Sequence, residues 1–267
     1  MRSRGTFSSE ALTRILAAAA GLSIACGTAA PRNDAERLAR GREIIERMSK
    51  TLGSAQAFSV TTTEVRDEVT KGEVKGKDKV KQVTLTRETT VRRPDRLYST
   101  VSGDRHNEVW YDGVGITLVM HADKVFGQAR APETLDKTLD ALQERFGVSM
   151  PFADYLYSSP AKALLAESTT GGWVGREEVA GQPTDHLSFK DVGVNWEAWI
   201  SASGDPLPRR AVAEFRDNKR LRKIDMTFKD WNLSARIGDD RFSPTVPPDY
   251  EGVAIVQRAR VLKHTAK

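Results

Sequence analysis

Cysteine is almost missing from this 267-residue chain: Cys26 stands alone, so no internal disulfide can form and no cysteine-built metal cluster is expected. Histidine is scarce too. The four, at 106, 121, 186 and 264, include no HxH or HExxH pair, so neither a metal site nor a cofactor is predicted. The nucleotide and nucleophile-elbow motifs GxxxxGK[ST], GxGxxG and GxSxG are absent. Glu177 and Glu178 adjoin on a strand and must face opposite ways, which excludes them as an acid/base dyad. The sequence therefore predicts no enzyme, with a hydrolase of scattered residues as the minor alternative. Charge of one sign is also lacking. The 41 Lys and Arg are interspersed with 36 Asp and Glu, which argues against a nucleic-acid-binding face.

Long hydrophobic runs are missing as well. The longest, residues 15–25, follows Arg2, Arg4 and Arg14 and would cross only about half of a ~30 Å hydrocarbon core as a helix. That is the layout of a removable signal peptide over 1–25. Leu22-Ser23-Ile24-Ala25-Cys26 resembles a lipobox, with Ser23 where such boxes carry leucine, and predicts lipid attachment at Cys26 and a membrane anchor. Cleavage after Ala29 is the competing reading, since Gly27-Thr28-Ala29 also offers small residues at the recognition positions. Residues 26–33 then form a polar tether, 34–250 the folded domain and 251–267 a basic tail bearing Arg258, Arg260, Lys263 and Lys267.

What is present is mostly alternation. Asp34 is the expected cap of a helix ending near Gly53, with Leu38, Ile45, Met48 and Leu52 on one face. From residue 56 the period becomes two, predicting eleven strands at 56–70, 79–92, 95–102, 105–111, 114–121, 124–129, 172–179, 183–190, 194–201, 208–217 and 221–232. A charged loop is expected at 71–81. Asp112-Gly113 predicts a two-residue hairpin with Tyr111 opposite Val114. It gathers Val109, Tyr111, Val114, Ile116, Leu118 and Met120 on one face, and His121 on the other. A turn at Asn218-Lys219 with Phe215 opposite Arg222 gathers Ala211, Ala213, Phe215, Ile224, Met226 and Phe228. One apolar and one charged face means an antiparallel sheet needing a cover.

The one interruption, between 132 and 168, supplies that cover. Leu135, Leu139, Leu142 and Phe146 lie at i, i+4, i+7 and i+11, a single helical stripe stopped by Gly147, and shorter helical pieces begin at Pro151 and Pro160. Two side chains bear on what lies beneath. Arg87 shares parity with Val83, Leu85 and Val91, which points a guanidinium toward the apolar side. It should pair there with a carboxylate, a lid carbonyl or a ligand headgroup, unless a bulge turns it outward. Trp196 shares parity with Ala198 and Ile200, and His186 is expected on the outer face. The inner-surface candidates are Leu85, Arg87, Tyr111, Ile116, Leu118, Met120, Trp196, Phe215, Met226 and Phe228, with Leu135, Leu139, Leu142 and Phe146 above them.

Several segments in order carry a resemblance: Val91-Arg92-Arg93-Pro94-Asp95-Arg96-Leu97, Tyr111-Asp112-Gly113, Pro151-Phe152-Ala153-Asp154-Tyr155-Leu156-Tyr157, Trp196 through Ile200 leading to Pro208-Arg209, Trp231-Asn232-Leu233, and Phe242 through Pro248. Across about 35–250 the chain resembles a domain-of-unknown-function family of predicted periplasmic proteins, itself similar to the LolA/LolB lipoprotein carriers. That resemblance implies an α+β fold: a strongly curved antiparallel sheet, an open half-barrel of about eleven strands, an N-terminal helix, and inserted lid helices over a hydrophobic cavity. It implies a lipid or acylated lipoprotein as partner. The expectation is a monomeric envelope lipoprotein, periplasmic and held at the outer membrane. A structural lipoprotein whose helices fill its own concavity is the alternative.

Overall fold

The structure, a computed structural model, describes residues 30–70, 78–146, 152–216 and 221–255, with backbone alone at 145 and 146. The chain divides into two units, 1–30 and 31–267, and every helix and strand among the described residues lies in the second. Cys26, the Asn218-Lys219 turn, Gly147, Pro151 and the tail from 256 lie outside the described residues.

Helix α1 (Asp34–Ser54) is capped by Asn33 rather than Asp34. The Asn33 side chain accepts from the Glu36 backbone N–H at 2.9 Å, and the Glu36 carboxylate accepts from the Arg32 N–H at 2.7 Å. Asp34 falls instead in the first turn, where its charge meets the positive end of the helix. Gly53 does not end the helix. It sits within the last turn, where a Cβ would collide with the Ser158 carbonyl. Ile44, Ile45, Met48 and Leu52 are buried on the inner face.

The sheet comprises β1 (Ala57–Thr70), β2 (Lys79–Arg92), β3 (Arg96–Gly103), β4 (Asn107–Tyr111), β5 (Gly115–Met120), β6 (Val125–Arg130), β7 (Thr170–Val179), β8 (Gln182–Lys190), β9 (Val194–Ser201), β10 (Pro208–Phe215), β11 (Leu221–Asn232) and β12 (Glu251–Val253). Their spatial order is β12-β6-β5-β4-β3-β2-β1-β11-β10-β9-β8-β7. The two ends, β12 and β7, do not meet, so the curved sheet stays open, as the α+β half-barrel expectation requires. The twelfth strand lies in the stretch assigned to the tail and pairs parallel with β6. Three residues leave too little alternation to register as a strand, and the partner is far away in sequence.

The register at the β10–β11 hairpin agrees with expectation: Ala211 opposes Met226 and Ala213 opposes Ile224. At β4–β5 the pairs are shifted by two, with Tyr111 opposite Ile116 and Val109 opposite Leu118. The Asp112 carboxylate causes this by accepting from the N–H groups of both Val114 and Gly115, at 2.9 and 2.8 Å, which draws Val114 and Gly115 into the turn. A shift of two preserves parity, so the face assignment survives for the strand residues, but Val114, expected on the inner face, lies in the turn and is exposed.

The larger departure is on the convex side. Tyr98, Trp110, Val119 and Phe242 form a second buried cluster, joined by Phe126, Ile237, Val246 and Tyr250. Residues 237–250 thus supply an apolar cover to the convex face of β3 to β6, where a charged surface was expected. Arg92 holds the strap by donating to the Ile237 carbonyl at 3.0 Å and pairing with Asp239.

Candidate functional site

Sheet curvature turns one face of every strand inward, and parity decides what stands there. The inward residues of β1 run Phe58, Val60, Thr62, Glu64, Arg66, opposite Val91, Thr89, Arg87, Leu85 and Val83 of β2. Over the apolar end lie α1 and the insertion: α2 (Leu135–Ala141), a π-helical turn at Leu142–Phe146, a 3-10 turn at Ala153–Tyr155, and α3 (Pro160–Leu164). Leu135, Leu139, Phe152, Tyr155 and Leu156 join Ile45, Met48, Phe58 and Phe228 in the main core. Arg93 ties the insertion down, donating to the Leu156 carbonyl at 3.0 Å and the Tyr157 carbonyl at 2.8 Å. Burial lowers its pKa, partly offset by Asp136. An Arg93→Ala variant should keep the sheet folded while speeding amide exchange at 153–165 by about tenfold or more, because two charge-assisted bonds are lost. Unchanged exchange there would show the anchor to be idle.

Packing beneath the insertion is incomplete. A hollow of about 320 Å3 lies between it and the sheet, bordered by Arg66, Leu139, Leu142, Trp196, Ala213, Phe215 and Met226 among others. A second, of about 340 Å3, lies beyond the helices over β2 to β6, bordered by Arg66, Leu85, Arg87, Val101, Leu118 and Met120 among others. Between them sits a buried ionic group. Glu64 is 0 % exposed and Arg87 6 %. Arg87 Nε donates to Glu64 Oε1 at 2.8 Å, and Arg66 Nε donates to Oε2 at 3.0 Å. Burial alone would raise the Glu64 pKa; Arg87 and Arg66 outweigh it and hold the carboxyl below its ordinary range. No bulge turns Arg87 outward, and of its expected partners the carboxylate is the one it takes, while Arg93 takes the lid carbonyls.

The candidates thus separate. Leu139, Leu142, Trp196, Phe215 and Met226 border the first hollow, and Leu85, Arg87, Leu118 and Met120 the second. Met120 is at its edge, 41 % exposed. Tyr111, Ile116, Leu135 and Phe228 are buried in packing instead; the Tyr111 hydroxyl donates to the Pro132 carbonyl at 2.6 Å and Phe228 meets Tyr155 edge-on at 5.2 Å. Cys26 and the Phe146 side chain are not among the described parts of the structure. Sequence reasoning missed Glu64 and Arg66, although strand 56–70 carried the signal: both share parity with Phe58 and Val60.

His186 and His121 serve the convex face. His186 stacks on Trp199 at 4.3 Å, with Glu177 Oε1 at 2.9 Å from its Nδ1. His121 lies 2.8 Å from the Tyr250 hydroxyl and 2.9 Å from Glu108. Tyr98 donates to Glu108 at 2.6 Å, and burial together with that carboxylate pushes its hydroxyl pKa up to about 12. Among the described residues no group of three or more His, Cys, Asp or Glu is placed to hold a metal ion.

Among solved structures the chain is similar to MucB, known also in a complex with MucA of Pseudomonas aeruginosa. Identity is 15 %, with 78 % of this chain and 63 % of MucB covered and a TM-score of 0.44; the chain thus spans less than two thirds of MucB. LppX, a lipoprotein of Mycobacterium tuberculosis, shares 14 % identity over 74 % of this chain and 97 % of its own, TM-score 0.38. LprF of Mycobacterium bovis shares 11 % over 79 % and 97 %, TM-score 0.37. No curated protein matches the chain in sequence. Over residues 41–256, which hold the whole sheet, both hollows and the strap, the chain matches the profile of the DUF2092 predicted periplasmic proteins, and it belongs to that family.

Proposed function

We propose that this protein binds a lipid or acylated ligand on its concave face without transforming it, and hands it on, while a lipid at Cys26 anchors it at the outer membrane. One observation carries the reading: the hollow of about 320 Å3 that the insertion roofs without filling. Ligand pockets are commonly about 300–1,000 Å3, apolar with few polar groups, and this hollow falls at the small end. Ten methylenes withdrawn from water contribute a gross stabilisation of roughly 8 kcal/mol, sufficient for micromolar binding before ordering costs.

Ala213→Phe should test it, because the new ring would project into space that is already empty. A fluorescent long-chain acyl probe should bind the unaltered protein, and its affinity should fall at least about tenfold in the variant, with thermal stability nearly unchanged. No binding to the unaltered protein would favour the second reading, an interaction lipoprotein whose concavity is self-filled. The complete burial of Leu135 speaks for that second reading.

The anchor is tested separately. Cys26→Ser should remove the acyl mass from the mature protein and move it from the membrane to the soluble fraction. A mature wild-type chain beginning at Ala30 with no acyl group would overturn the lipoprotein reading.

A further inference from the structure

Charge within the ionic group on the concave wall does not balance. Two guanidiniums, of Arg66 and Arg87, share one carboxylate, Glu64, leaving a formal excess of one positive charge in a largely apolar setting. Arg66 borders both hollows and Arg87 the second. Glu64 occupies Arg87 Nε, and Ser99 Oγ is 3.5 Å from Arg87 Nη1. Glu64 also takes Nε and Nη2 of Arg66. Among the described residues Arg87 Nη2 and Arg66 Nη1 have no hydrogen-bond partner. Thr62, which pairs with Arg87 across β1 and β2, is buried with its hydroxyl unpartnered.

The other acids nearby form no ion pair with Arg66 or Arg87. Glu68 pairs with Arg105, Glu108 is bound by Tyr98 and His121, and Asp191, across the first hollow, accepts from Ser168 and Trp196 at Oδ2 while its buried Oδ1 has no hydrogen-bond partner. Asp154, at the border of the first hollow, forms no ion pair among the described residues, and burial raises its carboxyl pKa. A cation set in a largely apolar wall gains from a counter-charge, and the open N–H groups of a guanidinium suit the paired oxygens of a carboxylate or phosphate.

We infer that Arg66 and Arg87 form a headgroup site for an anionic amphiphile: its carboxylate or phosphate ester sits at the junction of the two hollows, and its apolar chain lies under the insertion. This rests on the binding reading above and adds the ligand's charge and orientation. A neutral lipid would leave the excess charge uncompensated and is discriminated against. Arg66 is the residue to change, because Arg87 keeps Glu64 paired when it is removed.

The test compares a fluorescent long-chain fatty acid with its methyl ester, in the unaltered protein and in Arg66→Gln and Arg66→Lys. The unaltered protein should prefer the acid by about tenfold. Arg66→Gln should bind both probes alike, with ester affinity retained as the sign of an intact fold, and Arg66→Lys should recover part of the preference. Millimolar inorganic phosphate should not displace the acid, since it lacks the chain; displacement would make this a free-anion site and overturn the amphiphile assignment. Equal affinity for the two probes in the unaltered protein, or an undiminished preference in Arg66→Gln, would overturn the headgroup site and leave cavity binding standing. Failure of both probes to bind would remove the cavity reading and this inference with it.

Discussion

Replacing Glu64 with leucine should cost about 3–5 kcal/mol of folding stability, because it strands Arg66 and Arg87 without their shared carboxylate in a buried site. Urea unfolding near neutral pH measures it. The effect carries a pH signature. The Glu64 carboxyl titrates below its ordinary value of 4.5 in the folded protein, so its contribution is complete above that value and is lost as pH falls through the lowered one. The gap between the unaltered protein and Glu64→Leu should therefore be constant from neutral pH down to about 4.5 and narrow below it. A gap that stays constant through strong acid would mean the carboxylate is not what holds the arginines. A companion variant, with Glu64, Arg66 and Arg87 all replaced by leucine, should regain most of the lost stability, since an apolar patch replaces a buried ionic one at little net cost. That result would show the group to be dispensable for folding, which agrees with its retention for a headgroup.

Gly172→Ala should destabilise by roughly 3 kcal/mol or more. At the start of β7 the α1 backbone crosses the strand with no side chains between them: a Cβ on Gly41 would fall 2.7 Å from Gly172 Cα, and one on Gly172 would overlap the Arg37 carbonyl. Gly172 also has φ +133°, open to glycine and costly for alanine. Relief requires lifting α1, and with it Ile44, Ile45 and Met48, off the core. Gly175→Ala, three residues along the same strand, has nothing within 4 Å of its Cβ and no positive φ. It should change stability by less than about 0.5 kcal/mol. Equal losses at the two glycines would show that generic strand effects, rather than the helix crossing, set the cost.

By itself the sequence determined whatever depends on nearest neighbours along the chain. Period-two alternation places eleven of the twelve strands within two residues of their observed limits, and parity assigns Met226, Ile224 and Arg87 to the inner face because successive side chains must point to opposite sides. The helical stripe at Leu135, Leu139 and Leu142 is equally local, and all three are buried. Tertiary structure decided what joins distant segments. Glu64 meets Arg87 only because β1 and β2 pair in one register, and Arg93 reaches the carbonyls of Leu156 and Tyr157 across more than sixty residues of chain. The strap over Tyr98 and Trp110, and β12 beside β6, likewise depend on where the chain's last segment comes to rest. The hollows belong to this second class. A cavity is the volume that packed elements fail to fill, and periodicity reports which face an atom takes, not how closely two faces approach.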